Sequence, residues 1–167
     1  MSEPKEAVGR RPRLPEEARS AIDALRARYP TEEALLLPAL HIAQRHWGGW
    51  LPEEAIEAVA NELDLAPAKV YGVVTFYDLF HQRPVGRHRI RVCTNLSCAL
   101  RGAEEILETL GRELGVQENR VTPDGRCSYV HFECLGACEM APMMMVDDQY
   151  KGHLTPAAVR RLLEELE

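Results

Sequence analysis

Ile90-Arg91-Val92-Cys93-Thr94-Asn95-Leu96-Ser97-Cys98 and Glu133-Cys134-Leu135-Gly136-Ala137-Cys138 are the stretches on which the reading of this chain turns. They hold four of its five cysteines, as one pair with four residues between its members and one with three, and 35 residues separate the pairs. Each pair follows an apolar, β-branched run, Ile90-Arg91-Val92 before Cys93 and Val130-His131-Phe132 before Cys134. Two thiols a few residues apart on one loop can converge on a small object, and a second such loop can close four ligands around it. Thiolate sulfur selects zinc or iron–sulfur clusters, so a soft-metal site is the first expectation.

Ordinary buried cysteine does not account for two close pairs. Disulfides need an oxidising compartment, and no secretory signal is read at the start of the chain. A four-cysteine zinc site remains open, because zinc ligand pairs span two to four intervening residues. Spacing alone leaves zinc and [2Fe–2S] side by side, although neither pair has the tighter C-x2-C of zinc ribbons. The neighbours favour a redox centre. Gly136 and Ala137 are small enough for backbone amides to approach the sulfurs. Leu135, Met140, Met143 and Met144 could exclude water, which a structural zinc site does not require.

With the second pair continuing as Cys134-Leu135-Gly136-Ala137-Cys138-Glu139-Met140-Ala141-Pro142, the pattern resembles the small [2Fe–2S] component (the 24 kDa type) of the NADH-dehydrogenase module of respiratory complex I. Gly72-Val73-Val74-Thr75-Phe76-Tyr77, Pro84-Val85-Gly86-Arg87-His88 and Val121-Thr122-Pro123-Asp124-Gly125 are similar to that family too, and the likeness runs from about Glu16 to the C-terminus. The resemblance implies an α+β chain, a small N-terminal helical bundle followed by a thioredoxin-like [2Fe–2S] ferredoxin domain. It implies one cluster per chain on Cys93, Cys98, Cys134 and Cys138. It also implies a larger flavoprotein partner that binds NADH and FMN, contacted largely by the helical domain, with further subunits beyond it. Relatives serve NAD-linked hydrogenases and formate dehydrogenases, which stand as the alternative. An interaction protein held by a four-cysteine zinc site is the alternative of another class.

The 167 residues suit one or two small domains, and 46% hydrophobic residues suffice for a packed core. The formal charge of −6, made roughly two units more negative by a four-thiolate cluster, opposes nucleic-acid binding, which needs a basic face. No apolar run approaches a membrane span. The expected home is the bacterial cytoplasm, peripheral at the inner face of the cell membrane through the complex. A homodimer is allowed for when the chain is isolated.

Three segments are expected: a flexible 1–15, a helical docking domain over 16–82, and the cluster domain over 83–167. Helices are expected from Glu16 to Tyr29 with Ala18, Ala21, Ile22 and Leu25 inward, from a Thr31 cap to about Trp47 with a kink or late start at Pro38, from Pro52, and from Pro67 to Phe80. The last two resemble a helix-turn-helix, but Lys69 is the only cation between Ala66 and Phe80, which argues against DNA. A half-exposed strand is expected over His88–Val92. A helix from Ala99 to Leu114, with Leu100 on its buried side, would aim its N-terminal dipole at the first cysteine loop. A strand over Ser128–Glu133, a hairpin around Asp147-Asp148 and a last helix from Thr155-Pro156 to Glu167 complete a β-α-β-β-β-α order.

Cys127 pairs with nothing and is read as a core or surface thiol. The six histidines form no spaced pair with a cysteine. No Gly-rich phosphate cradle follows a strand, and no nucleophile or general base stands out, so the chain reads as an electron carrier rather than a whole enzyme. Four thiolate ligands, Glu133 and Glu139 beside them, and Asp147-Asp148 folding back from the hairpin suggest a low-potential centre, nearer the plant-type value of roughly −400 mV than the Rieske range.

Overall fold

Proline and short polar residues set the starts of four helices in the first half of the chain, in a computed structural model that describes residues 12–166. They are α1 (Glu16–Arg26), α2 (Glu32–His46), α3 (Glu53–Glu62) and α4 (Pro67–Phe76). The Thr31 hydroxyl accepts from the Ala34 amide and caps α2, satisfying one of the donors a helix start leaves free. Pro67 begins α4, where its missing N–H costs nothing. Gly48 and Gly49, both at positive φ, follow α2 and stop it. α2 runs through Pro38 from Glu32, so the late start is not seen.

Ala18, Ile22, Leu35, Leu40, Ile56, Val59, Leu63, Val70 and Val74 form the core of this half. Ala21, expected inward, is exposed, and α1 ends at Arg26 rather than Tyr29. Of the lead-in expected to be flexible, residues 1–11 lie outside the described residues. Leu14 is buried with the helices, and the Asn61 amide donates to the Pro12 carbonyl at 3.2 Å. α4 stops at Phe76, where Tyr77 turns extended, and Phe80 returns to the core against His41. That return is held by buried Gln44, which donates to the Leu79 carbonyl at 3.0 Å and accepts from the His81 amide at 2.8 Å.

The chain divides between Pro84 and Val85 into two compact units. The second carries β1 (His88–Cys93), α5 (Leu96–Leu100), α6 (Ala103–Leu114), β2 (Cys127–Phe132), β3 (Met144–Val146), β4 (Gln149–Lys151) and α7 (Pro156–Glu165). The sheet order is β2-β1-β3-β4, with β1 and β2 parallel and the other pairs antiparallel. Ile90 and Val92 of β1 are buried with Ile106 and Leu110 of α6 and with Val159 and Leu163 of α7. Alternation along a strand puts Arg89, Arg91 and Cys93 on the other face.

Three expectations change here. β1 is central, not half-exposed: from Ile90 to Cys93 every residue is buried, because the strand has a neighbour on each side. The single helix expected after Cys98 is two, broken by Gly102 at φ 95°. Leu100 ends α5 and is exposed instead of inward. Thr155 caps α7 by accepting from the Ala158 amide, as its Thr-Pro start predicts. Among the described residues no helix is long and apolar enough to cross a membrane.

Candidate metal centre

Parallel pairing of β1 and β2 decides the site. The register sets Cys93 opposite Phe132, at the carboxyl ends of both strands. The loops that leave those ends therefore start side by side, one carrying Cys98 and the other Cys134 and Cys138. Asn95 caps α5 through its side-chain oxygen and the Leu96 amide, which places Cys98 inside that short helix. Gly136 takes φ 74° in the second loop, a value glycine adopts without strain. A 3₁₀ turn over Cys138–Met140 and a cis Ala141–Pro142 bond follow.

Cys93 lies within reach of the Cys98 and Cys134 thiols, and Cys138 is near enough to act on Cys98 by charge. Burial raises the Cys93 thiol, but the Leu135 and Asn95 amides and the two neighbouring thiols outweigh it and hold the group below the ordinary range. Burial also raises Cys98; the Met143 amide opposes this, and the charge of Cys93 adds to it. Cys93 and Cys98 are buried, whereas Cys134 and Cys138 are exposed. Among the described residues no group of three or more His, Cys, Asp or Glu side chains is arranged to hold a metal ion, so the convergence is one of neighbouring pairs.

An apolar shell surrounds the buried pair. Ala103, Leu135, Ala137, Ala141 and Met143 are packed with Cys93 and Cys98, and Phe132, Met140 and Met145 lie partly buried against them. Met144, expected in this shell, points into the core on the opposite face of the sheet. The N-terminus of α6 stands beyond α5 rather than directly after Cys98, so the dipole expected there is displaced, although Ala103 still touches the shell. Asp147 does not fold back toward the cysteines. It bonds His88 and the Arg89 amide, both at 2.9 Å, at the other end of β1. His131, close in sequence to the second cysteine pair, bonds Glu118. Cys127 is fully buried opposite His88, five residues along the ladder from Cys93 and so roughly 17 Å away at ~3.3 Å per residue.

The fold therefore defines a sheet with helices on one face and two thiol-bearing loops at the ends of adjacent parallel strands. The chain belongs to the thioredoxin-like [2Fe–2S] ferredoxins, whose family model matches residues 22–167. It is 43% identical over 141 residues to the E-type subunit of NADH-quinone oxidoreductase from Rickettsia bellii, covering 83% of this chain and 84% of that one. It is 45% identical over 146 residues to a second-numbered E-type subunit of NADH-quinone oxidoreductase from Rhizobium meliloti, covering 87% and 86%. Among solved structures, an air-oxidised NAD+-reducing [NiFe]-hydrogenase chain shares the fold at TM-score 0.67 and 23% identity, over 78% of this chain and 22% of that one.

The family's cofactor is a [2Fe–2S] cluster, and the donor set fits it: four thiols, backbone amides aimed at two of the sulfurs, and an apolar shell. Sequence reading missed the amides of Asn95, Leu135 and Met143, which carry no side-chain signal. It also missed Gly152. A Cβ there would lie 2.5 Å from Met140 Cβ and 2.9 Å from the Met140 carbonyl oxygen, the acceptor of the His153 amide. Gly152→Ala is expected to shift the 3₁₀ turn that carries Cys138 and to alter the visible and circular-dichroism bands of the loaded protein. Unchanged bands would mean that Met140 yields without moving Cys138.

Proposed function

We propose that this chain is the electron-transfer subunit of an NADH:quinone oxidoreductase, respiratory complex I, carrying one [2Fe–2S] cluster on Cys93, Cys98, Cys134 and Cys138. The observation that carries the reading is the parallel register of β1 and β2, which starts the loop of Cys98 and the loop of Cys134 and Cys138 side by side. Relatives named as subunits of that oxidoreductase, at 43% and 45% identity, support the host complex.

When bound, the cluster supplies storage and release of one electron. The chain's own residues do the rest. Cys93 and Cys98 form the dry side, where the Leu135 and Asn95 amides draw Cys93 toward thiolate and the Met143 amide opposes the burial that raises Cys98. Leu135 and Met143 exclude water. Cys134 and Cys138 form the exposed side, through which an electron can pass to or from a partner. The partner is the flavoprotein subunit that binds NADH and FMN, and the complex is held at the cytoplasmic face of the membrane by other subunits.

The helical unit docks that flavoprotein. Tyr71, Phe76, Tyr77 and Leu79 are exposed along the end of α4 and the turn after it, and Phe76 keeps 77% of its surface in water. A run of large apolar residues in solvent suits an interface. A tagged chain is expected to co-purify with an FMN-containing subunit, and Phe76→Asp to reduce that recovery at least tenfold while leaving the helical content unchanged. Undiminished recovery would move the interface elsewhere. An NAD-linked hydrogenase is the second reading, favoured by the shared fold of the hydrogenase chain; co-purified nickel–iron subunits would select it.

A further inference from the structure

A buried arginine lies on the same strand and the same face as Cys93. Arg91 precedes it by two residues in β1, which places the two Cα atoms roughly 7 Å apart. Only 10% of its side chain reaches solvent. Nη2 donates to the Asp147 carbonyl at 2.8 Å and contacts Met145 Sδ at 3.0 Å. The guanidinium carbon sits 5.9 Å from the centre of the Phe132 ring, two residues before Cys134. Nε is buried with no acceptor among the described residues. Asp148, the nearest carboxylate, stands 4.0 Å away with 93% of its side chain in water, where its charge is well screened.

An arginine so placed keeps its charge, since guanidinium does not lose its proton in proteins. Burial without a close counter-ion costs stability. The carbonyl bond explains a hydrogen-bond donor at this position but not a full positive charge. Met145, which contacts the guanidinium, and Phe132, whose ring centre lies 5.9 Å from it, both pack against the Cys93–Cys98 shell. The guanidinium is thus anchored on the Asp147 side of the sheet, while Phe132 and Met145 link it to the thiol-bearing end through polarisable, water-poor material.

We propose that Arg91 is a positioning charge that sets how readily the four-thiolate site accepts an electron. With the cluster bound, one electron would pass from the reductant, dithionite in the experiment below, to one ferric iron, which would become ferrous with no bond made or broken, and the site would become one unit more negative. A fixed positive charge nearby favours that state. At an effective dielectric of ~20, two unit charges interact at the level of a tenfold change in equilibrium out to about 12 Å. Arg91 thus offsets part of the negative charge that four thiolates impose.

This inference rests on the ligand set proposed above, and the two fail separately: wrong ligands show as iron and sulfide retained in full in the cysteine variants, a wrong role for Arg91 as an unmoved midpoint. The experiment is a dithionite titration of the loaded full-length protein, followed by electron paramagnetic resonance and visible absorption. Arg91→Met and Arg91→Gln, both uncharged and of similar length, are expected to disfavour reduction at least tenfold, a fall of about 59 mV for a one-electron couple. Arg91→Lys, which keeps the charge but loses the planar fork, is expected to stay within that limit. An unmoved midpoint in the uncharged variants, or an equal fall in all three, overturns the proposal, because a pin for the hairpin would depend on shape rather than charge. If the uncharged variants do not fold, Met145→Lys replaces a half-buried side chain beside Arg91 and adds a second cation. The midpoint is then expected to rise, and an unchanged or lower value overturns the proposal.

Discussion

Serine at Cys93 is expected to abolish stable cluster loading, with iron and acid-labile sulfide falling at least tenfold after anaerobic purification. Serine oxygen is a harder donor than sulfur, and iron–sulfur sites favour thiolate. Two amides converge on this sulfur, and Cys98 and Cys134 lie within its reach, so its loss disturbs both loops together. Serine at Cys98, the other buried position, is expected to follow closely. Serine at Cys134 or Cys138 falls on an exposed, glycine-containing loop with more freedom to adjust, and is expected to give a loaded but altered and less stable centre. Cys127→Ser is the control. Its thiol is raised chiefly by burial and stands at the far end of the ladder, so loading should persist while folding stability falls by about 1–3 kcal/mol for a buried hydroxyl. Lost loading in Cys127→Ser with full loading in Cys138→Ser would overturn the ligand set. A colourless wild-type protein with one zinc and no sulfide would overturn the cluster on these residues altogether.

Gly86→Ala should be the most damaging single methyl in the second unit. A Cβ at this position would lie 2.3 Å from the Cys127 carbonyl carbon, 2.5 Å from the Ser128 nitrogen and 2.7 Å from the Cys127 Cα. All three are backbone atoms of β2 and cannot rotate away. The Gly86 amide also donates to the Ser128 hydroxyl at 3.0 Å, and the next two amides bond the Gly125 and Arg126 carbonyls. The segment thus lies flat against the start of β2 and feeds β1 in register. Overpacking of this kind costs typically 1–3 kcal/mol and sometimes more, and rigid neighbours put Gly86→Ala at about 3 kcal/mol or above. That predicts a fall of more than about 10 °C in the melting of the second unit, at ~4–8 °C per kcal/mol for a domain of this size. Gly72→Ala is the contrast. It lies inside α4 with nothing within 4 Å of the added carbon, so it is expected to stabilise the first unit by roughly 0.5–1 kcal/mol. Similar destabilisation by both would mean that the contacts at Gly86 are relieved by backbone movement.

Much of the architecture is legible in the amino-acid sequence, wherever the signal is local. Thr31 and Thr155 announce their helices because a hydroxyl reaches an amide three residues on, a geometry independent of the rest of the chain. Pro67 opens α4 for the same kind of reason. Ile90 and Val92, Ile106 and Leu110, and Val159 and Leu163 show their buried faces by period alone. The cysteine spacing belongs to this group as well, since loop length decides whether two thiols can meet.

Other features depended on which strand lies beside which. β1 reads as a half-exposed strand because Arg89 and Arg91 alternate with Ile90 and Val92. Only its central place, between β2 and β3, buries Arg91. Gly102 could not be seen to break a helix until its left-handed backbone was in view, and Leu100 leaves the core as a consequence. Asp147 looked like a charge beside the cysteines; antiparallel pairing of β3 with β1 sets it at the opposite end. Likewise, nothing in the letters at 95, 135 and 143 says that their amides approach sulfur, because every residue but proline has such an amide and only the tertiary fold aims it. Residue type and spacing marked four thiols as a soft-metal set with zinc and [2Fe–2S] both open, and the small and apolar neighbours with the family resemblance favoured the cluster. The parallel register of β1 and β2 brought their loops together, because side-by-side ends of adjacent strands exist only once the sheet has formed.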